Sequence, residues 1–440
     1  HLILRLLYTH INTMYLLGLV FMIFVKGFLL KNWWVQCPLS TCSSVKLQEA
    51  FQKNQTKTDD LTIYQVLIQY PKWEKDTNIF GLMNHRHLKN FKKNKKTFFI
   101  FDASTEGFST LKKEPFFDIL YWNCKNYKID PRRVIFISAN MLDEKNIKIY
   151  NELHNITKSI KVVTFNNFES MLFGLEGNKI VHGQDPQTVA HRHYEETRIN
   201  VKARYENKIF LSLSRVNRPH RIMSTYEIFK SDIFLDGLVS HDKLPFDQLK
   251  HLYPQLPRGH NITWKEFVRW HKSGLPLTID THDFKTNHAM SLNNMLHDTT
   301  LFQLVNETFA ENWEGTSQFW SEKTFRSIYH MQPFLIWGQQ GANKKLQEYG
   351  YKLYDEIFDY SFDDEPDDYK RWSLLFEQVQ RLVKEIGLMP QDQQVRWRFT
   401  VREALIHNFK TLYAEKHTKK VFFLLSKYIR DIADGKETTS

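Results

Sequence analysis

The chain carries a group of arginines whose spacing suits the binding of a phosphate. Arg215, Arg218 and Arg221 follow the apolar run 208–213, a predicted buried strand, and occupy a turn and the start of the next predicted helix. A guanidinium can donate two parallel hydrogen bonds to one phosphate, and a helix N-terminus favours an anion. The three arginines are therefore candidate phosphate ligands; the alternative is that each forms an ordinary surface ion pair.

A further basic side chain stands at the start of another predicted helix. Ser321 can cap this helix and Glu322 suits its positive end, whereas Lys323 places a cation at that same end. A phosphate bound there would offset the conflict. The apolar run 334–337 follows, and because Pro333 can open a strand but not lie inside a central one, we expect a short buried strand to begin there.

Acidic side chains at the ends of two predicted strands are candidate acid–base groups. Asp102 and Glu106 follow the predicted strand 97–101, at the edge where open α/β sheets bind ligands. Either carboxylate could act as a general base toward a hydroxyl, and either could instead cap the next helix. Glu307 follows the predicted strand 301–306, and we expect it to contact the same ligand or an arginine.

The two basic segments resemble a known family. The Ser-Glu-Lys helix start at 321–323, and the strand, turn and Arg-bearing helix at 208–221, are similar to the donor half of nucleotide-sugar glycosyltransferases with two Rossmann-like domains. The resemblance is to the fucosyltransferase-like group, with exostosin-like enzymes more distant, and covers roughly residues 205–360. The family pattern continues with Leu-Trp where this chain has Thr324 and Phe325, so the resemblance names neither sugar nor nucleotide.

The resemblance implies an activity and roles for individual residues. The activity is transfer of a sugar from a nucleotide sugar to a hydroxyl of a glycan, lipid-linked or protein acceptor. Arg221 and Lys323 would hold the donor phosphates, and Glu322 the ribose hydroxyls. Cations and helix N-termini would neutralise the departing diphosphate, so we expect no metal and no cofactor apart from the donor substrate. The chain also lacks the Asp-x-Asp pair by which single-Rossmann glycosyltransferases hold a metal.

The order of the predicted elements favours an α/β fold. Apolar strands and helices alternate through 97–165 and again from 208, as is typical of parallel sheets covered on both faces. We predict two Rossmann-like domains facing a cleft, a GT-B-like fold, with C-terminal helices. The predicted regions are an apolar segment at 1–44, an acceptor domain at 45–185, a donor domain at 200–365 and a helical region at 366–440. We expect irregular chain at 175–205 and 241–275.

The overall composition is that of a globular protein with an anionic partner. The 440 residues are 42% hydrophobic and 15% aromatic, which excludes a disordered chain. The net charge of +11 favours a nucleic acid, a nucleotide, a phospholipid surface or an acidic glycan as partner. Because tryptophans and tyrosines among basic residues could stack on bases, the alternative function is a non-catalytic nucleic-acid- or nucleotide-binding protein. The basic residues are scattered among acidic ones, so we expect no nucleic-acid partner.

Two segments bear on membrane association. Residues 14–30 are strongly apolar, but they contain Lys26 and are short for a spanning helix of about 20 residues. We expect a buried segment there, with a membrane-contacting helix as the alternative. The basic tail with Lys416, Lys419 and Lys420 could rest on a membrane or on another subunit. Three cysteines form no disulfide framework, so we expect a cytoplasmic protein, membrane-associated if residues 14–30 contact a bilayer.

Overall fold

The structure is a computed structural model of the chain. It describes residues 61–67, 78–82, 85–104, 107, 109–111, 116–171, 184–214, 216–277, 279, 295–311 and 315–436. No helix in these ranges is long and apolar enough to cross a membrane. The apolar segment 14–30 lies outside the described residues, as do Glu106 and Arg215.

Strands and helices alternate along most of the described chain. The strands are β1 (Thr62–Leu67), β2 (Thr97–Ala103), β3 (Val134–Ser138), β4 (Lys161–Thr164), β5 (Lys208–Ser214), β6 (Gly237–His241), β7 (Thr300–Asn306) and β8 (Phe334–Trp337). The α-helices are α1 (His85–Lys93), α2 (Phe116–Tyr127), α3 (Asp143–Leu153), α4 (Asn167–Met171), α5 (Pro186–Arg204), α6 (Pro219–Lys230), α7 (Phe246–Leu252), α8 (Trp264–Ser273), α9 (Met295–Asp298), α10 (Glu322–Tyr329), α11 (Ala342–Glu348), α12 (Asp368–Gly387), α13 (Gln391–Arg398), α14 (Arg402–Tyr413) and α15 (Lys416–Ala433). The described strands form two parallel four-stranded sheets, which confirms the α/β class.

The described chain divides into two compact units, and its path changes unit four times. The first unit contains the residues up to Ser170, the short segment Thr316–Gln318 and the residues from Lys416 onward. The second unit contains the residues from Met171 to Gly315 and from Phe319 to Glu415. The helices of the predicted C-terminal region are therefore shared: α12, α13 and α14 belong to the second unit and α15 to the first.

The sheet of the first unit has its strands in sequence order, β1-β2-β3-β4. Successive side chains of a strand point to opposite faces, and each face packs against different helices. One face packs against α1, α2 and α3, through residues that include Phe91, Phe99, Phe101, Phe116, Phe136 and Ile147. The other face packs against α15, through Phe98, Ile100, Ile135, Ile137, Leu425 and Ile429.

Helix α15 completes the first unit from the far end of the sequence. Leu425 and Ile429 have no exposed surface, and the Tyr428 hydroxyl donates a hydrogen bond to the Arg132 carbonyl at 2.8 Å. At the start of the helix, His417 Nδ1 lies 2.6 Å from the Glu169 carboxylate. Although α15 follows the second unit in the sequence, it packs on the first sheet.

The sheet of the second unit has the order β6-β5-β7-β8. The chain leaves β5 through α6 to reach β6, and it leaves β7 through α10 to reach β8 on the opposite side. The direction of winding therefore reverses between β5 and β7. In open α/β sheets, such a reversal creates a crevice at the carboxyl ends of the two strands, and ligands bind there.

The prediction of irregular chain at 175–205 and 241–275 was wrong for much of both segments. Helix α5 begins at an Asp-Pro signal, where the Asp185 carboxylate accepts the Thr188 N–H at 2.9 Å. Helix α8 begins with a capping box formed by Thr263 and Glu266. The weak apolar pattern of the largely polar α5 did not reveal that helix, whereas α8 buries Phe267 and Trp270 on one face, and its apolar spacing was overlooked.

Candidate anion-binding site

The candidate site lies in the second unit, where β5 and β7 end and α6 and α10 begin. Four residues separate the end of β5 from the start of α6, and α10 is the next described helix after β7; β5 and β7 are the two strands that flank the reversal of winding. The site contains six of the predicted site residues: Arg218, Arg221, Glu307, Ser321, Glu322 and Lys323.

Glu307 joins β7 to α10. It has no exposed surface, and its carboxylate accepts hydrogen bonds from the backbone N–H and hydroxyl of Ser321, at 3.1 and 2.6 Å. The Thr324 hydroxyl and the Thr308 N–H donate to it as well, at 2.6 and 2.9 Å. A carboxylate with four such donors is a fixed part of the protein. The structure therefore makes Glu307 a group that positions the start of α10.

Arg221 links α6 to Glu307 and Thr308, the residues that follow β7. Its Nε donates to the Glu307 carbonyl at 3.0 Å, and one of its terminal nitrogens lies 3.5 Å from the Thr308 hydroxyl. The side chain is almost fully buried, and burial lowers the pKa of Arg221 to about 10, which leaves the guanidinium charged at neutral pH. His220 Nε2 donates to the same carbonyl at 2.9 Å. Burial holds the pKa of His220 well below its usual value, so this imidazole is neutral.

Lys323 provides a second cation beside Thr308. Its ammonium donates to the Ser321 hydroxyl at 2.9 Å and to the Glu322 carboxylate at 3.0 Å, and it lies 3.5 Å from the Thr308 hydroxyl. Burial lowers the pKa of Lys323, although Glu322 opposes the shift. Burial would raise the pKa of Glu322, but Lys323 holds it below its usual value. The Lys323 side chain is 22% exposed.

The unfavourable placement of a cation at the positive end of α10 is partly compensated by side chains of the protein itself. Lys323 is a cation at the positive end of a helix, and the carboxylates of Glu322 and Glu307 lie beside it. Arg218, at the cap position of α6, packs its guanidinium 4.8 Å from the centre of the Phe309 ring. Among these groups, three cations face two carboxylates, so the described site retains one positive charge for an anion.

The sequence analysis did not single out Asn306 or Thr308. Asn306 Nδ2 donates to the hydroxyls of Ser212 and Ser214, both at 2.9 Å, and its Oδ1 accepts from Ser224 at 3.3 Å. These bonds link β5, β7 and α6 beneath the site. Both residues lie at the carboxyl end of β7. Their position at the end of a predicted strand could have identified them as site residues.

Asp102, one of the two predicted general bases, is in the interior of the first unit. It has no exposed surface, and its Oδ1 accepts the Ser104 N–H at 3.1 Å. By the alternation of β2, it lies on the same face as Phe98 and Ile100, which is the face that α15 covers.

The chain itself occupies the carboxyl end of β3, and it also contacts the segment that follows β2, where the Ser317 hydroxyl donates to the Gly107 carbonyl at 2.8 Å. The Asn140 and Asn146 amides donate to the Thr316 carbonyl at 3.0 and 2.8 Å, and Asn140 Oδ1 accepts the Gln318 N–H at 2.9 Å. Both amides also donate to the buried Asp143 carboxylate, at 2.7 and 2.8 Å. The segment Thr316–Gln318 thus fills part of the edge where the sequence predicted the acceptor chemistry.

The fold and the site together define an α/β protein with a cluster of cationic side chains at a topological switch point. In the part of the chain that the structure describes, no group of three or more His, Cys, Asp or Glu side chains is placed to hold a metal ion. No family model, no curated protein and no solved structure matches this chain.

Proposed function

We propose that the chain is a glycosyltransferase of GT-B-like architecture, with two Rossmann-like domains, that moves a sugar from a nucleotide sugar to a hydroxyl acceptor. The observation that carries the proposal is the convergence of Arg221 and Lys323 on the Thr308 hydroxyl, each at 3.5 Å. Sugar transfer leaves a nucleoside diphosphate, and positioned cations stabilise the charge that develops on it.

The geometry supports different roles for the residues of the site. The partly exposed Lys323 and the adjacent Arg221 would bind the diphosphate. Glu322, whose side chain is 15% exposed, would accept hydrogen bonds from the ribose hydroxyls. Glu307 and Ser321 would hold Arg221 and Lys323 in place, and they would not contact the donor themselves.

The acceptor hydroxyl requires a general base if the transfer inverts the configuration of the anomeric carbon of the sugar. Of the two predicted carboxylates, Asp102 is fully buried, so we propose Glu106 for this role. The acceptor itself would be a glycan, a lipid-linked sugar or a protein.

The alternative function is nucleotide binding without catalysis. The cations that would serve it are the same, so binding alone does not separate the two functions. Release of a nucleoside diphosphate from a nucleotide sugar in the presence of an acceptor distinguishes catalysis from binding alone. The buried and clustered cations favour a compact diphosphate over a nucleic-acid strand, which needs an extended basic surface.

The first experiment is a thermal-shift panel of nucleoside diphosphates, nucleotide sugars, nucleoside monophosphates and pyrophosphate. A ligand at 100 times its Kd stabilises the folded state by about 2.7 kcal/mol. We expect the diphosphates and one nucleotide sugar to raise the melting temperature more than the monophosphates do. No stabilisation by any member of the panel would contradict the proposed site.

The second experiment replaces Lys323 with Met. Loss of a charged hydrogen bond costs about 1–3 kcal/mol, so the Kd for the stabilising nucleotide should rise about 5- to 150-fold. Lys230→Met is the matched control: this lysine lies at the far end of α6, is 53% exposed and pairs with Glu266. Unchanged affinity in a folded Lys323→Met protein, or an equal loss in the control, would overturn the assignment. A crystal structure with the bound nucleotide tests the arrangement directly.

A further inference from the structure

The outward side of α15 combines exposed apolar and basic side chains. We define the outer face of α15 by its exposed residues Lys416, Lys419, Lys420, Phe423, Leu424 and Lys427. At 100° per residue, these positions share one side of the helix, opposite the buried Leu425 and Ile429. Phe423 is 58% exposed and Leu424 is 48% exposed. The exposed side of α15 therefore carries large apolar side chains as well as lysines.

The charges on this face have one sign. No acidic residue occurs between Lys416 and Arg430. The next two acidic residues in the sequence, Asp431 and Asp434, lie 3.5 and 3.8 Å from the Lys436 ammonium. Lys420 stands about one turn before Phe423 and Leu424, and Lys427 about one turn after them. A pair of apolar side chains therefore lies between ammonium groups along the helix.

We propose that the outer face of α15 binds the surface of an anionic membrane. Phe423 and Leu424 would enter the boundary between headgroups and acyl chains, and the lysines would meet the lipid phosphates. Lysine stems can lie along an apolar surface while the ammonium stays in water. The contact would be peripheral, with α15 lying in the plane of the membrane and still docked on its sheet. This proposal does not depend on the proposed glycosyl transfer.

Charge complementarity selects the membrane from the other candidate partners. A second copy bound about a two-fold axis would bring the same lysine-rich surface against itself, and the like charges would repel. A nucleic-acid strand would use aromatic side chains for stacking, but Leu424 offers no ring. An anionic bilayer satisfies both the lysines and the apolar pair.

Helix α3, in the same unit, provides a matched control surface. It exposes Lys145 and Lys148 together with two apolar side chains, Ile149 at 36% and Leu153 at 72%. Unlike α15, it also exposes acidic residues, Glu144 and Glu152. Equal substitutions on α3 and α15 therefore separate a specific effect from a general loss of surface apolarity or charge.

The test is flotation of the full-length protein with phosphatidylcholine vesicles, with and without phosphatidylserine. We expect binding that requires phosphatidylserine and weakens with salt. Phe423→Ser/Leu424→Ser should lower the partition coefficient at least about tenfold. Lys420→Gln/Lys427→Gln should lower it about fivefold for each lysine removed. The control Ile149→Ser/Leu153→Ser should leave it unchanged.

Each other outcome overturns the proposal. Equal binding to neutral vesicles, or no binding of the unmodified protein, excludes an anionic membrane as partner. Binding that persists in both α15 variants places any membrane contact elsewhere, for example in residues 14–30. If the α15 variants instead dissociate an oligomer or abolish binding to single-stranded DNA, the partner is a second copy or a nucleic acid. Circular dichroism and melting temperature establish that the variants are folded.

Discussion

The two sheets have the same number of described strands and the same parallel pairing, but their carboxyl edges differ. In the first sheet the strands follow sequence order, and the end of β3 is filled by Thr316–Gln318 and the amides that hold it. In the second sheet the winding reverses between β5 and β7, and the adjacent helix starts bring two cations to Thr308. Parallel pairing alone thus does not make a ligand site; a reversal of winding and charged helix starts are also present where the candidate site lies.

The comparison also concerns how buried polar groups are satisfied. In the first unit, the buried Asp143 carboxylate accepts bonds from neutral donors: Thr110, Ser138, Asn140 and Asn146. In the second unit, neutral donors hold Glu307 while the charged groups Arg221 and Lys323 remain next to one another. The first arrangement is a closed structural network, and the second keeps an excess positive charge.

The largest expected effect tests whether the first unit supplies catalysis despite its filled edge. Glu106→Gln keeps the shape of the side chain but cannot take a proton, so turnover should fall roughly 10²–10⁴-fold. Asp102→Asn should leave the turnover of the folded protein near normal, because Asp102 is buried. Steady-state kinetics with the stabilising nucleotide sugar measure both. The opposite ranking of the two variants would contradict the assignment of the base.

The next effect concerns stability in the second unit. Glu307→Gln removes the charge from a buried carboxylate with four donor groups, so the free energy of unfolding should fall by about 3 kcal/mol. Glu348→Gln, on α11 and with a side chain 64% exposed, should change it by less than about 0.5 kcal/mol. Urea denaturation measures both values, and equal values would show that Glu307 does not hold α10.

The buried histidines of the second unit and the buried Asp143 of the first unit should contribute oppositely to stability in acid. Burial lowers the pKa of His297 to about 3 and of His241 to about 4, and it holds the pKa values of His220 and His330 well below the ordinary value. An unfolded histidine binds a proton near pH 6.5, so the second unit loses stability as the pH falls below about 6.5. At pH 5 the loss is about 2 kcal/mol for each of His241 and His297.

In the first unit the sign is reversed. Burial raises the pKa of Asp143 to about 7, whereas an unfolded aspartate titrates near 3.9. The folded form therefore binds a proton first, and the contribution of Asp143 to stability increases as the pH falls from 7 toward 4. Hydrogen exchange at pH 7.5 and pH 5, corrected for intrinsic rates, should show protection lost first in the second unit. Loss first in the first unit would contradict both signs.

The smallest effect tests the filled edge of the first sheet. Asn140→Ala removes the amide that binds both the Thr316 carbonyl and the Gln318 N–H. We expect a loss of about 1–2 kcal/mol in the free energy of unfolding, with faster hydrogen exchange at 316–318. An unchanged exchange rate in this segment would mean that Asn140 does not retain it.

Local sequence patterns predicted the strands, and they predicted that the site residues lie close together. The run 334–337 and the strand at 208–214 were recognisable because buried parallel strands are continuously apolar. Arg221, Glu307 and Lys323 were recognisable because the ends of parallel strands meet at one edge of a sheet. The helix at 186–204 was missed because its polar sequence carries a weak apolar period.

Long-range contacts limited the rest of the prediction. The sequence analysis expected Glu307 to contact a ligand or an arginine, and Arg221 does donate to its carbonyl; what the local pattern did not predict is that its carboxylate binds residues 308, 321 and 324. The retention of Thr316–Gln318 in the first unit depends on asparagines about 170 residues earlier in the chain. No local spacing encodes such a pairing, since its partners are far apart in the sequence.

The return of α15 to the first sheet sets the order in which a ribosome can complete this protein. The strands β2 and β3 are synthesised early, but the residues that cover Phe98, Ile100, Ile135 and Ile137 are Leu425 and Ile429. Until those residues leave the ribosome, this face of the nascent sheet lacks its contacts with α15 while the second unit is translated. The first unit is therefore the first to be started and the last to be finished, and a premature stop before residue 425 leaves its apolar face to chaperones or to aggregation.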